Sequence, residues 1–126
     1  MNILVVDDEP GIVKMCLKVL GEEGHAVRGF TSTREALAYL AAGPAADLLV
    51  VDYMMPELNG LEFIQRAWDL QPKLRVVMIT AHGTQELLGA AAQTGVHGLV
   101  LKPFTAAELS RGVKTALGGL GRPAAD

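Results

Sequence analysis

Acidic residues, a threonine and a lysine stand directly after four short apolar runs of this sequence. They are Asp7 and Asp8 after ILVV, Asp52 after LLVV, Thr80 after VVMI, and Lys102 after LVL. Carboxylates that lie close together raise one another's pKa unless a cation compensates them. Mg²⁺ prefers such oxygen ligands and typically takes one or two carboxylates together with phosphate oxygens. With a hydroxyl and an ammonium beside it, such a site could neutralise a phosphoryl group during its transfer to a carboxylate nucleophile.

Each of these residues also has an ordinary structural explanation. Asp7 or Asp8 could cap the first predicted helix, and Asp52 could cap a turn through its side chain. Thr80 could be a strand-end threonine, and Lys102 could be a solvated surface charge. We favour the chemical interpretation because four such coincidences at four strand ends are improbable together. We assign Asp52 as the nucleophile because it stands alone after its run and a Met-Met-Pro turn follows it.

The segments that would position these residues alternate between strand and helix. The apolar runs are continuous, which is typical of strands covered on both faces, and apolar residues recur with a helical period between them. The runs comprise residues 3–6, 26–30, 48–51, 76–79 and 99–101. This alternation predicts an α/β fold with a five-stranded parallel sheet and helices on both faces.

The order of the strands decides whether the acids meet. In the flavodoxin-like order 2-1-3-4-5, the first and third strands are neighbours. Ligands of open α/β sheets bind beyond the carboxyl ends of the strands, in the crevice where the strand order reverses. We therefore expect Asp7, Asp8 and Asp52 to converge there and to offer a site for Mg²⁺.

Helix start signals support the same organisation. The stretches STRE at residues 32–35 and TAAE at residues 105–108 match the capping box, in which a hydroxyl and a carboxylate satisfy free backbone N–H groups. The segment 84–94 is the helix with the weakest pattern, because it is rich in alanine and contains Gly89.

Length and charge narrow the class of protein. A chain of 126 residues suffices for one domain, and its formal net charge of -3 argues against a basic surface for nucleic acid. The single cysteine, Cys16, excludes an internal disulfide and fits a reducing compartment. The sequence lacks a signal peptide pattern and an apolar run of about 18 residues. We expect a cytoplasmic protein that binds neither membrane nor nucleic acid directly, with a Gly/Pro/Ala-rich tail or linker at residues 118–126.

The chain resembles the receiver domains of bacterial two-component response regulators. The resemblance covers residues 1–117 and depends on an ordered set of short motifs. These are the acidic pair Asp7-Asp8, DYMMP at residues 52–56, TA at residues 80–81 and KPF at residues 102–104. Each motif is weak alone, but the ordered set is highly specific.

The resemblance implies a chemical role for each acid. Asp52 would accept a phosphoryl group from the phosphohistidine of a sensor histidine kinase or a phosphotransfer protein. Mg²⁺ would be bound directly by Asp8, Asp52 and the backbone carbonyl of Met54, while Asp7 would help through water. The domain would catalyse its own phosphorylation and the hydrolysis of its aspartyl phosphate only weakly.

The resemblance also implies how a phosphoryl group would be sensed. Thr80 and Lys102 would contact the phosphate, and the Lys102–Pro103 peptide would be cis. Receivers usually carry an aromatic residue three positions before this lysine, where the sequence has Leu99. Movement of the threonine could remain, but an aromatic readout could not. Because Thr80 and Lys102 flank them and residues 84–94 have the weakest apolar anchoring, we expect the fourth helix, fifth strand and fifth helix to form the signalling face. This face would serve an effector domain beyond the C-terminus or a homodimer.

Two other functions share parts of this pattern. A phosphatase with an aspartyl-phosphate intermediate would use the same Asp, Thr, Lys and Mg²⁺, but such enzymes usually carry D-x-D after the first strand and a cap domain. A flavin-binding module would need hydroxyl and glycine donors after the first strand, where the sequence has Asp-Asp-Glu. The sequence therefore favours a phosphorylation switch.

Overall fold

The computed structural model describes residues 1–118, in which five strands alternate with five helices. The strands are β1 (Asn2–Val6), β2 (Ala26–Phe30), β3 (Leu48–Asp52), β4 (Arg75–Thr80) and β5 (Gly98–Leu101). The helices are α1 (Pro10–Glu22), α2 (Thr33–Ala41), α3 (Gly60–Leu70), α4 (Gln85–Thr94) and α5 (Ala106–Leu117). Each strand begins and ends within one residue of its predicted apolar run. Apart from Gly118, the predicted tail at residues 118–126 lies outside the described residues.

The strands form one parallel sheet in the order β2-β1-β3-β4-β5, so the predicted order is confirmed. Strands β1 and β3 lie side by side, with Val6 paired to Val51. The residues that follow this pair are Asp7 and Asp52, which therefore reach the same edge of the sheet at the same level. At the next strands, Thr80 of β4 pairs with Leu101 of β5.

The sheet separates two apolar layers because successive side chains of a strand point to opposite faces. One face packs on α1 and α5, and we call it the α1/α5 face; its strand residues include Ile3, Val5, Leu48, Val50, Val77, Ile79 and Val100. The other packs on α2, α3 and α4, and we call it the α2/α3/α4 face; its strand residues include Leu4, Val6, Leu49, Val51, Val76 and Met78. Coverage on both faces explains why the strands read as continuous apolar runs.

Capping side chains begin four of the helices. The Thr105 hydroxyl accepts from the Glu108 N–H, and the Glu108 carboxylate accepts from the Thr105 N–H, which completes the predicted capping box at α5. At α2, the Ser32 hydroxyl accepts from the Glu35 N–H at 3.3 Å. The predicted return bond from the Ser32 N–H to the Glu35 carboxylate is absent among the described residues. At the starts of α3 and α4, the side chains of Asn59 and Thr84 each accept one hydrogen bond from a backbone N–H three residues further along the chain.

No helix within residues 1–118 is both long enough and apolar enough to cross a membrane.

Candidate functional site

Four carboxylates meet at the carboxyl edge of the sheet. One carboxylate oxygen from each of Asp7, Asp8, Glu9 and Asp52 lies within 4.8 Å of the others. Asp7 and Asp52 are buried, whereas Asp8 and Glu9 are exposed. The structure thus brings together the three acids that the sequence singled out, and Glu9 joins them.

The polar side chains at three strand ends share one local geometry. In each, a side-chain oxygen accepts a hydrogen bond from the backbone N–H two residues further along the chain, as in Asx-turns and their hydroxyl equivalents. The pairs are Asp7 with Glu9 at 2.9 Å, Asp52 with Met54 at 3.3 Å, and Thr80 with His82 at 3.0 Å. Each aspartate therefore has Oδ1 tied to its own loop, and its Oδ2 is left for other partners.

Neither Asp7 nor Asp8 caps the first helix, so that alternative is wrong. The N-cap of α1 is Glu9, and its side chain makes no capping hydrogen bond. Pro10 follows at the first helical position, where a missing N–H costs nothing. The turn alternative for Asp52 is correct as local geometry, because Asp52 accepts from the Met54 N–H.

Lys102 reaches into the cluster from the end of β5. Its Nζ lies 2.8 Å from Glu9 Oε1, 2.9 Å from Asp7 Oδ2 and 3.3 Å from Asp52 Oδ2. The contacts with Glu9 and Asp52 are hydrogen bonds. Only 11% of the Lys102 side chain is exposed, so the surface-charge alternative is wrong. The contact with Asp7 lacks hydrogen-bond geometry, and the buried Asp7 Oδ2 therefore has no hydrogen-bond partner within residues 1–118.

The protonation equilibria reflect the crowding of charge. Burial raises the pKa of Asp7 to about 6, and the Glu9 N–H and the Lys102 ammonium lower it only in part. Burial also raises the pKa of Asp52 above its ordinary value, against the attraction of Lys102. For Lys102, burial opposes the charge, but the hydrogen bond to Glu9 and the charges of Asp7 and Asp52 outweigh it and raise its pKa. One ammonium thus faces several acids.

A family model described as the response regulator receiver domain matches residues 3–114. The chain belongs to this receiver domain family. The DNA-binding transcriptional regulator NtrC of Azospirillum brasilense is 34% identical over 124 residues, which cover 98% of this chain and 26% of that protein. The chemotaxis protein CheY-3 of Vibrio cholerae is 37% identical over 116 residues, which cover 86% of this chain and 85% of that protein.

The solved structures agree with this assignment. A CheY-like receiver domain protein from Methanospirillum hungatei JF-1 has a TM-score of 0.85 at 26% sequence identity, with 93% of each chain covered. The predicted fold and the predicted family are therefore confirmed. The chain spans about a quarter of the length of NtrC and of other regulators that it matches.

In this receiver, the two predicted phosphate contacts, Thr80 and Lys102, have different partners. The alternation in β3 assigns Asp52 to the α1/α5 face, whereas in β4 it assigns Thr80 to the α2/α3/α4 face. Lys102 follows the end of β5 and reaches Asp52 from there. Thr80 is fully buried, and its hydroxyl is bonded to the His82 N–H. The structure therefore unites Lys102 with the acids and leaves Thr80 beside them on the next strand.

The remaining predicted residues lie around this centre. Leu99 is partly buried and packs against the core of the α2/α3/α4 face. The Met54 side chain is half exposed, and its backbone lies in the loop that begins at Asp52. The Lys102–Pro103 peptide is cis.

Two residues with a place in the site were missed by sequence reasoning. Glu9 was noted only as a third acid, although the run Asp-Asp-Glu was the signal for it. The other is Gly60, for which the sequence alone indicates an ordinary turn or helix end. A Cβ at position 60 would lie 2.8 Å from Tyr53 Cα and 2.9 Å from the Asp52 carbonyl oxygen. Gly60 therefore lets the start of α3 approach the backbone that carries Asp52, and its N–H donates to the Tyr53 carbonyl at 2.8 Å.

The donor set of this receiver fits a magnesium ion. All candidate ligands are oxygens, which is what Mg²⁺ prefers. The buried Asp7 Oδ2 adjoins the cluster and faces the Lys102 ammonium at 2.9 Å, but Glu9 and Asp52 share that single charge, and buried carboxylates without enough compensation are costly. A cation among these acids would supply the positive charge that Lys102 alone does not.

Proposed function

We propose that this receiver domain is a phosphorylation-dependent signalling switch whose phosphoryl acceptor is Asp52. The observation that carries the proposal is the placement of the Asp52 carboxylate, which is buried among acids and 3.3 Å from the Lys102 ammonium. The phosphoryl donor would be the phosphohistidine of a sensor histidine kinase or phosphotransfer protein in the cytoplasm.

Phosphoryl transfer to Asp52 would need only the side chains of this site, a magnesium ion and a phosphoryl donor. The Asp52 carboxylate attacks phosphorus, the bond from phosphorus to the histidine nitrogen breaks, and an acyl phosphate forms. Lys102 neutralises the phosphoryl oxygens, and the Thr80 hydroxyl turns toward them from the neighbouring strand. Asp8, Asp52 and the Met54 carbonyl would hold Mg²⁺, with Asp7 bound through water, and the ion would neutralise further phosphoryl charge.

Asp52 is a better acceptor than its neighbours. The Asp52 side chain is held by the Met54 N–H on one oxygen and faces Lys102 with the other, which positions the carboxylate for attack. Asp7 and Asp8 would instead serve the cation, which occupies their lone pairs. Hydrolysis of the acyl phosphate by a water at the same site returns the switch to its resting state, so weak autohydrolysis is part of the proposal.

The signal would leave the domain through α4, β5 and α5. Thr80 and Lys102 stand at the ends of the strands that flank α4, and movement at either would reach these elements first. Leu99 would take part by packing alone, since it has no aromatic ring to reorient. The receiver of this chain would act on an effector domain beyond residue 126 or on a second copy through this face.

Labelling with a small phosphodonor tests the proposal without a kinase. In the presence of Mg²⁺, acetyl phosphate should add the mass of one phosphoryl group, and peptide mapping should place it on Asp52. The label should disappear with time, and chelation of Mg²⁺ should stop both formation and decay. Asp52→Asn is the matched control and should remain unlabelled. Label that persists in this variant, or maps to Asp7 or Asp8, would overturn the assignment.

A further inference from the structure

The shortest contact of the Lys102 ammonium is with Glu9. The distance from Nζ is 2.8 Å to Glu9 Oε1, 2.9 Å to Asp7 Oδ2 and 3.3 Å to Asp52 Oδ2, and the contact with Glu9 is the shorter of its two hydrogen bonds. The lysine that should serve the phosphoryl group is thus hydrogen-bonded to an acid whose role the sequence does not predict. The two residues are 93 positions apart, so this contact depends on the fold.

Glu9 differs from the other two acids that face Lys102. Asp7 and Asp52 are buried, and each has Oδ1 bonded to a backbone N–H. The Glu9 side chain is 62% exposed, and within residues 1–118 Lys102 is its hydrogen-bond partner. It therefore stands at the rim of the site on a side chain that can leave the lysine at low cost, because water can replace the lost contact.

We propose that Glu9 is a positioning residue that holds Lys102 in the resting domain and competes with the incoming phosphoryl group for its ammonium. The inference builds on the proposed function, in which Lys102 neutralises phosphoryl charge. A phosphoryl group on Asp52 presents several anionic oxygens to the same ammonium. Glu9, the exposed partner of Lys102, would then lose its contact with the lysine and be solvated by water instead. Glu9 would thereby set how readily the site accepts a phosphoryl group.

The proposal predicts faster labelling when the reach of Glu9 is shortened. Glu9→Asp keeps the charge but removes one methylene, so it should lose the 2.8 Å contact with Lys102. Glu9→Gln keeps the length but removes the charge. Both should raise the second-order rate of labelling by acetyl phosphate about two- to fivefold, the range expected from loss of one exposed ion pair. Glu57→Gln, which removes an exposed acid from the loop after β3, is the matched control and should leave the rate unchanged.

A double-mutant cycle shows whether the effect passes through the lysine. In a Lys102→Met background, Glu9→Gln should no longer change the labelling rate. An effect of the same size in that background, or a Glu9→Asp rate equal to the native rate, would mean that Glu9 acts by charge repulsion alone and would overturn the proposal. So would slower labelling in Glu9→Asp and Glu9→Gln, because Glu9 would then help to align the lysine.

Two further measurements distinguish an error in the role of Glu9 from an error in the proposed function of the domain. The shift of the thermal midpoint with Mg²⁺ should be equal in native protein and Glu9→Gln, whereas a smaller shift in the variant would make Glu9 a metal ligand and overturn the lysine assignment. Native protein that acquires no label on Asp52 would refute the proposed function itself. Labelled native protein with unchanged rates in both Glu9 variants would refute only the role of Glu9.

Discussion

The pKa of Asp7 makes a sharp prediction about stability and pH. This carboxyl is buried, and its pKa rises from 3.8 to about 6 in the folded domain. A group whose pKa is higher in the folded state binds its proton more tightly there, so it stabilises the fold at low pH. That contribution is complete below about pH 3.8 and is lost as the pH rises through about 6.

The magnitude follows from the difference between the two pKa values. A separation of roughly two units at about 1.4 kcal/mol per unit corresponds to at most about 3 kcal/mol. Asp7→Asn removes this titration and keeps an oxygen that can accept from the Glu9 N–H. We therefore expect the variant to gain stability relative to native protein by up to about 3 kcal/mol between pH 4 and pH 7.

Urea unfolding of both proteins across this pH range, with a chelator present, measures the effect. The difference between the two free energies of unfolding isolates Asp7, because the other carboxyls titrate in both proteins. Asp69→Asn, which removes an exposed acid on α3, controls for the loss of one charge. Addition of Mg²⁺ should stabilise native protein at pH 7, because the cation compensates the ionised carboxylate. The difference in free energy of unfolding between native protein and Asp7→Asn should therefore become smaller. A difference that is flat with pH, or a variant less stable than native at pH 7, would refute the reasoning.

Two other substitutions test the packing of the site. Lys102→Met should destabilise the metal-free domain by about 3–5 kcal/mol, because it leaves the facing carboxylates uncompensated; an unchanged urea midpoint would show that the ion pairs are not structural. Gly60→Ala should destabilise by about 1–3 kcal/mol, since the new Cβ would meet backbone atoms of Asp52 and Tyr53 that cannot swing away. Its matched control is Gly89→Ala, which meets nothing within 4 Å and should stabilise α4 by about 0.5–1 kcal/mol. Equal melting temperatures for the two glycine variants would contradict the close approach at Gly60.

The sequence predicted the elements and the meeting of the acids for one physical reason. Strands buried on both faces must be apolar throughout, so their polar ends are conspicuous, and the parallel order then brings these ends to one edge. The same continuity conceals which side chain faces which layer. The assignment of Thr80 to the face opposite Asp52 therefore could not be read from an unbroken apolar run.

Contacts between residues far apart in the sequence were the second feature of the site that the sequence alone could not predict. The bond from Lys102 to Glu9 joins residues at opposite ends of the chain, and no local pattern predicts it. The close approach at Gly60 likewise depends on how α3 meets the end of β3, although a glycine at a helix start was visible in the sequence. The sequence thus predicted which charged residues stand at the strand ends. Which of these side chains contact one another could be seen only in the folded structure.

Side chains along each strand point alternately to the two faces of the sheet. The number of residues between a functional residue and its strand therefore decides which face it reaches. Lys102, which reaches the acids, stands two residues after Val100 of the α1/α5 face and directly after the end of β5. Deleting one residue from β5 would leave every functional side chain in the sequence yet send the ammonium to the wrong layer of the domain. Deleting two residues would restore the face while shortening the strand. In this fold, the site depends on the spacing of a residue from its strand as much as on its chemical type.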